Sequence, residues 1–149
     1  MKTAAALCGL VVTLAACSGS SSPPASFALR VIDVAGPGRV LADARGFALY
    51  MYVPDDRGAS VCYGACARVW PPLVLGPGQR APKAGPGVEK ELLGTARRTN
   101  GDLQVTYDGW PLYLYIGDNR GQATGQALDM GTWYLISPTG AIDRVPVVS

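Results

Sequence analysis

No histidine occurs anywhere in the 149 residues. The commonest general base and the commonest metal ligand are therefore missing together. Charge is scarce too. Asp, Glu, Lys and Arg make up 16% of the chain and leave a net charge of +2, which offers no electrostatic basis for binding nucleic acid. The first sixteen residues hold the one long apolar run, and it is too short to span a bilayer. No nucleophile elbow, phosphate loop or zinc-ligand spacing is present. These gaps remove the usual signatures of hydrolases, nucleotide-dependent enzymes and metalloenzymes. The expectation is a non-enzymatic protein with no cofactor and no metal.

What the chain does contain is glycine, proline and aromatic residues, with 19 Gly, 12 Pro, 7 Tyr and 3 Trp. Frequent Gly and Pro leave little room for long helices, and Tyr and Trp favour strands. One aromatic stretch occurs twice. Tyr50-Met51-Tyr52-Val53-Pro54-Asp55 returns as Tyr113-Leu114-Tyr115-Ile116-Gly117-Asp118, 63 residues later. In the same ungapped frame Gly38/Gly101, Gly46/Gly109, Leu49/Leu112, Arg57/Arg120, Gly58/Gly121 and Trp70/Trp133 are also identical, nine identities in all. Ordinary residue usage would give roughly two or three by chance. The chain is therefore a duplicated unit, with copies at about 38–75 and 101–140 of one domain spanning 28–149.

The start of the chain has the shape of an export signal. Met1-Lys2 is followed by an apolar run to Ala16 and then by small polar residues. The run ends in Leu14-Ala15-Ala16-Cys17, which resembles the bacterial lipobox, in which the Cys is acylated and becomes the first mature residue. An ordinary signal peptide cut after Ala16, with Cys17 a free thiol, is the plainer alternative. The Cys at this position favours lipidation. Several acyl chains on one Cys would anchor the protein firmly. Residues 1–16 are then the lipoprotein signal, and 17–27 the lipidated Cys17 with a Ser/Pro-rich flexible tether. Ser18 after that Cys implies, by the same resemblance, the outer membrane where the host has one. The location expected is the cell envelope, with the domain facing the periplasm or the exterior.

The remainder reads as eight to ten short strands between Gly/Pro/Asn turns, an all-β chain. Strands are expected at 28–34, 40–43, 47–53, 70–75, 110–116, 132–137 and 141–148. Asn100-Gly101 is expected to turn a hairpin between 92–98 and 102–107. The segment 76–87 reads as a loop, and 88–93 as one helical turn or a strand. Tyr50 and Tyr52 point to one face of their strand, and Leu49 and Met51 to the other, so this strand should be central and covered on both faces. The two copies are expected to form a pseudo-two-fold sandwich or a partly closed barrel.

Cys62-Tyr63-Gly64-Ala65-Cys66 occurs in one copy only, since Gly125 and Asp129 hold the matching positions. In an oxidising compartment it reads as a structural disulfide. A redox pair would more often have two intervening residues and a helix start, and no clear helix is expected here. Asp55 and Asp118 are the best polar candidates for a site. The plainer reading is that each caps the turn after its strand, braced by Arg57 and Arg120. Trp70 and Trp133 read as core anchors beside the tyrosines.

Tyr50-x-Tyr52-x-x-Asp55 and Tyr113-x-Tyr115-x-x-Asp118 resemble the Tyr-x-(Phe/Trp/Tyr)-x-x-Asp motif of bacterial lipoproteins built from the "secreted repeat of unknown function". Cys62-x-Gly64-x-Cys66, Trp70-Pro71-Pro72, 104–109 and Trp133-Tyr134 support the likeness, which runs from about 40 to 140. It implies a secreted or envelope-bound protein and carries over no catalytic residue. The function expected is a lipid-anchored envelope lipoprotein acting as a binding or structural module. Its partners would be the membrane, through the lipid, and an envelope protein or cell-wall component. A small-molecule-binding or redox accessory protein is the alternative, and an enzyme using the Asp pair ranks last.

Overall fold

The computed structural model describes residues 28–148. The leader, Cys17 and the tether lie outside the described residues.

The chain is mostly β. The strands are β1 (Ala28–Val34), β2 (Gly38–Ala42), β3 (Tyr50–Tyr52), β4 (Lys83–Ala84), β5 (Leu93–Arg97), β6 (Leu103–Tyr107), β7 (Trp110–Pro111), β8 (Trp133–Ile136) and β9 (Ile142–Asp143). They form three small sheets ordered β2-β1-β4, β3-β8-β9 and β5-β6-β7, and these do not close into a barrel. Three expected features are corrected. The strands expected at 70–75 and 110–116 shrink to single bridges at Pro72, Val74 and Tyr113 and to the two-residue β7. A one-turn helix, α1 (Ala65–Val69), contains Cys66, where no helix was expected. The loop 76–87 holds β4, which runs parallel to β1 through Ala28↔Lys83 and Leu29↔Ala84. Residues 88–93 resolve as a 3₁₀ turn at Lys90–Leu92 leading into β5. The segment α2 (Leu128–Gly131) is a left-handed turn, with φ of 51° at Asp129 and 60° at Met130.

Each copy begins with a hairpin, β1–β2 in the first and β5–β6 in the second. The turns that follow differ by one residue. The first copy bridges Ala42 to Ala48, whereas the second bridges Thr106 to Pro111. In the first, the Asp43 carboxylate accepts the Arg45 and Phe47 N–H groups at 2.9 and 3.0 Å. In the second, Asp108 and Gly109 make a two-residue turn with φ of 46° and 80°, the left-handed pair such a tight hairpin demands. Equivalent residues are therefore 64 apart in the hairpins and 63 apart beyond the turn. The ungapped frame is corrected accordingly. Gly38 matches Asp102 rather than Gly101, since Val34↔Gly38 in the first hairpin corresponds to Arg98 and Asp102 in the second.

At the centre of the contact between the two copies one residue of each pairs with the other. The Tyr50 N–H donates to the Tyr113 carbonyl and the Tyr113 N–H to the Tyr50 carbonyl, both at 2.9 Å. This antiparallel pair marks a pseudo-two-fold axis. The contacts around it are reciprocal: the Val53 N–H bonds the Thr132 carbonyl, and the Ile116 N–H bonds the Val69 carbonyl. Side-chain alternation then sorts the core into two. Tyr50, Tyr113, Trp70, Trp133 and Leu135 fill one cluster. Leu49, Met51, Leu112, Leu73, Val105 and Ile136 fill the other. The central strand is thus covered on both faces, as its two-sided apolar pattern requires. Each fully buried Leu or Met here stabilises the fold by roughly 1.5–3 kcal/mol.

Candidate functional site

The motif residues exchange partners across the axis. The Tyr50 hydroxyl, from the first copy, donates to Asp118 Oδ2 of the second at 2.7 Å. The Tyr113 hydroxyl, from the second copy, donates to Asp55 Oδ2 of the first at 2.5 Å. The other oxygen of each carboxylate caps a loop six residues on: Asp55 Oδ1 accepts the Val61 N–H at 2.8 Å, and Asp118 Oδ1 the Thr124 N–H at 2.7 Å. The expectation that each Asp caps its turn is met, although the cap spans a longer loop. The arginine brace is corrected. Arg57 pairs with Asp108 at 2.7 Å, and among the described residues Arg120 forms no ion pair. The 108–110 turn of the second copy, packed against Arg57, supplies the carboxylate instead.

The aromatic rings repeat the exchange. Trp70 stacks on Tyr115 at 4.5 Å, and Trp133 on Tyr52 at 4.2 Å. Trp70 and Trp133 stack on each other at 3.9 Å and 6°, on the pseudo-axis. Tyr50 meets Trp70 edge-on, and Tyr113 meets Trp133 in the same way. Both Trp are core anchors, as expected. A groove of about 190 Å³ reaches Tyr115 and Asp118 from outside. The stacked Trp faces do not line it.

Burial sets the electrostatics. Asp55 and Asp118 are 3% and 8% exposed. Loss of solvation raises both carboxyls above the ordinary range, and the tyrosine and backbone hydrogen bonds pull them part of the way back. Burial likewise raises the Tyr50 and Tyr113 phenols, helped by the carboxylate each one faces. Every buried side-chain polar atom among the described residues has a partner.

The two halves differ in one respect that sequence reasoning missed. Arg98, 5% exposed, lies beneath the Cys62–Cys66 loop. Its guanidinium donates to the Cys62 carbonyl at 2.7 Å, to Gln104 Oε1 at 2.5 Å and to Ser60 Oγ at 3.0 Å, and its Cζ sits 4.2 Å from the centroid of the Tyr63 ring. Ser60 Oγ also accepts the Cys62 N–H, so its own proton goes to the Tyr113 oxygen 2.6 Å away. A directed chain results: Arg98 to Ser60, Ser60 to Tyr113, Tyr113 to Asp55. It couples a buried cation to a buried carboxylate through two hydroxyls. At the equivalent positions of the other half stand Val34, Ala123 and Val40, all in the aromatic core. Gln104 matches Val40 only when the one-residue slip is recognised.

The disulfide joins Cys62 and Cys66 with a Cα–Cα distance of 5.3 Å, as expected. It cannot recur in the second copy. A Cβ at Gly125 would lie 2.7 Å from the Trp70 ring and 2.9 Å from the Tyr50 ring. Among the described residues no cluster of three or more His, Cys, Asp or Glu side chains could hold a metal ion, and no helix is long and apolar enough to cross a membrane.

No curated protein and no solved structure matches the chain significantly. The family described as "secreted repeat of unknown function" matches twice, at residues 32–74 and 94–137. The two matches coincide with the two copies that meet at Tyr50 and Tyr113. Together they cover more than half of the chain, which therefore belongs to the family of the secreted repeat of unknown function.

Proposed function

We propose that this protein is a lipid-anchored module of the bacterial cell envelope, acylated at Cys17 and working by binding another envelope component rather than by catalysis. The observation that supports this reading most is the commitment of the motif residues. Tyr50, Asp118, Tyr113 and Asp55 are buried and satisfied by one another. Hydroxyls and carboxylates that hold two copies together are a scaffold, and they leave the surface as the working part. The same reading takes the strands, covered by two cores, as a pseudo-two-fold sandwich. Cys17 and its tether supply attachment and reach, and membership of a secreted family agrees with an envelope location. The partners are the membrane, through the lipid, and an envelope protein or cell-wall component.

Two experiments test this. Growth with labelled palmitate should label the wild type and leave Cys17→Ser unlabelled; label on both would reject the anchor. Cross-linking of the full-length protein in intact cells should trap an envelope partner. Native mass spectrometry with an absorption spectrum covers the small-molecule alternative. A stoichiometric extra mass would show a bound ligand, make the groove at Tyr115 and Asp118 its first candidate site, and overturn the partner-only reading.

A further inference from the structure

The disulfide-bearing half is more elaborate than the fold requires. The other half builds the same hairpin, central strand and Tyr–Asp brace with Gly125, Val34, Ala123 and Val40. Among the described residues that half has no bridge and no buried cation. Where the bridge occurs, Arg98, Gln104 and Ser60 occur with it, and Arg98 bonds the carbonyl of one bridging cysteine directly. Among the described residues no carboxylate touches the guanidinium, and its charge is linked through Ser60 and Tyr113 to Asp55. The two sulfurs are also unequal, for Cys62 is fully buried while Cys66 is partly exposed.

We propose that Cys66 is a thiol–disulfide exchange site for a dithiol-bearing protein of the cell envelope, with Cys62 the buried leaving sulfur. Exchange needs access to one sulfur and a leaving thiolate that is stabilised. The geometry separates these roles. A partner thiolate attacks Cys66 Sγ, the Cys62–Cys66 bond breaks, and a mixed disulfide forms between the partner and Cys66. The Cys62 thiolate is released into the aromatic core, and the Arg98 guanidinium bonded to the carbonyl of the same residue offsets part of the cost of burying that charge. It then takes up a proton. The partner's second thiolate attacks the mixed disulfide, leaving the partner oxidised and Cys66 reduced. Two electrons pass from the dithiol to the bridge, and the reverse sequence restores it. Arg98 acts here as a positioning residue. Its bond to the Cys62 carbonyl holds the loop 62–66 over the polar chain in both redox states.

A purely structural staple would open only when the protein unfolds. The test is reduction of the intact, exported protein by excess dithiothreitol at a series of urea concentrations well below the unfolding midpoint, with released thiols trapped by a maleimide. A rate flat across that series is expected; a rate rising with urea in step with global unfolding would overturn the proposal. The reduced, folded protein is then treated with one equivalent of a small aromatic disulfide and the adduct mapped by mass spectrometry. The adduct is expected on Cys66, and an adduct chiefly on Cys62 would overturn the assignment. In glutathione redox buffers, replacing the polar trio by its apolar counterparts (Arg98→Val, Ser60→Ala, Gln104→Val) should shift the equilibrium at least tenfold toward the disulfide. No shift in that folded variant would remove Arg98 from the mechanism.

Discussion

Removing one phenol oxygen from each half gives two unequal results. Tyr113→Phe deletes the hydrogen bond to Asp55 Oδ2 and takes away the acceptor of the Ser60 hydroxyl, but that hydroxyl is half-buried and can rotate to another acceptor. A hydrogen bond to a charged group is worth about 1.5–3 kcal/mol, so about 2 kcal/mol is expected near pH 7. Tyr50→Phe deletes the bond to Asp118 and also strands the buried Gly125 N–H, which donates to the Tyr50 oxygen at 3.1 Å. That unsatisfied donor adds about 1 kcal/mol or more, so Tyr50→Phe should be the worse of the two. Both losses depend on pH. Burial raises Asp55, and the Tyr113 bond is the largest influence holding it down. Without that bond Asp55 rises further. A carboxyl raised in the folded state loses stability as pH climbs from the unfolded value through the folded one. The loss in Tyr113→Phe should therefore be smaller at pH 4 than at pH 7. Urea denaturation at the two pH values measures it. Equal losses at both, or a loss below about 0.5 kcal/mol at pH 7, would refute the assignment of these bonds as a buried brace.

Other outcomes follow from the same contacts. Gly125→Ala should cost about 1–3 kcal/mol by overpacking against Trp70 and Tyr50, read as a drop in the urea midpoint. Arg98→Leu should cost about 3 kcal/mol by leaving the Cys62 carbonyl and Gln104 Oε1 without their donor, while the trio Arg98→Val, Ser60→Ala and Gln104→Val should recover more than half of that loss. In alkali the raised phenols of Tyr50, Tyr113 and Tyr107 favour the folded state below pH 10, the unfolded phenol value, and that advantage is lost as pH rises further. Phenolate absorbance of these three should therefore appear together with loss of circular dichroism, and a separate smooth titration would contradict their burial.

Much of this architecture was legible in the sequence. Tyr-x-Tyr with apolar residues at the intervening positions places aromatics on one face of a central strand and aliphatics on the other, and the two cores follow. Asn100-Gly101 marks its hairpin because the turn needs a glycine at positive φ, and Gly101 has φ of 91°. The exchange of partners was not legible. Spacing shows that Tyr50 and Asp55 recur as a set, yet it cannot tell whether a tyrosine bonds its own aspartate or its twin's; that depends on how the copies cross. Arg98 was hidden for a sharper reason. In an ungapped frame it aligns with Ala35, an exposed turn residue, and its charge looks ordinary. The turn after the first hairpin is one residue longer, because Asp43 caps its own loop where Asp108-Gly109 makes a two-residue turn. Only that slip sets Arg98 against Val34 and Gln104 against Val40, a change from apolar to polar inside a core. β4 was missed because Lys83–Ala84 has no strand pattern and forms only by pairing with the edge of β1.

The central claim is that neither copy holds together without the other. The direct test is to produce residues 28–87 and 88–148 as separate chains, cut after β4 so that it stays with β1, and follow each by circular dichroism and near-ultraviolet tryptophan signal. Each alone should be unfolded, since its Asp lacks the tyrosine and its Trp lacks the tyrosine ring that the other supplies. An equimolar mixture should recover the native signal as a one-to-one complex. Cooperative folding of either half on its own would contradict the account.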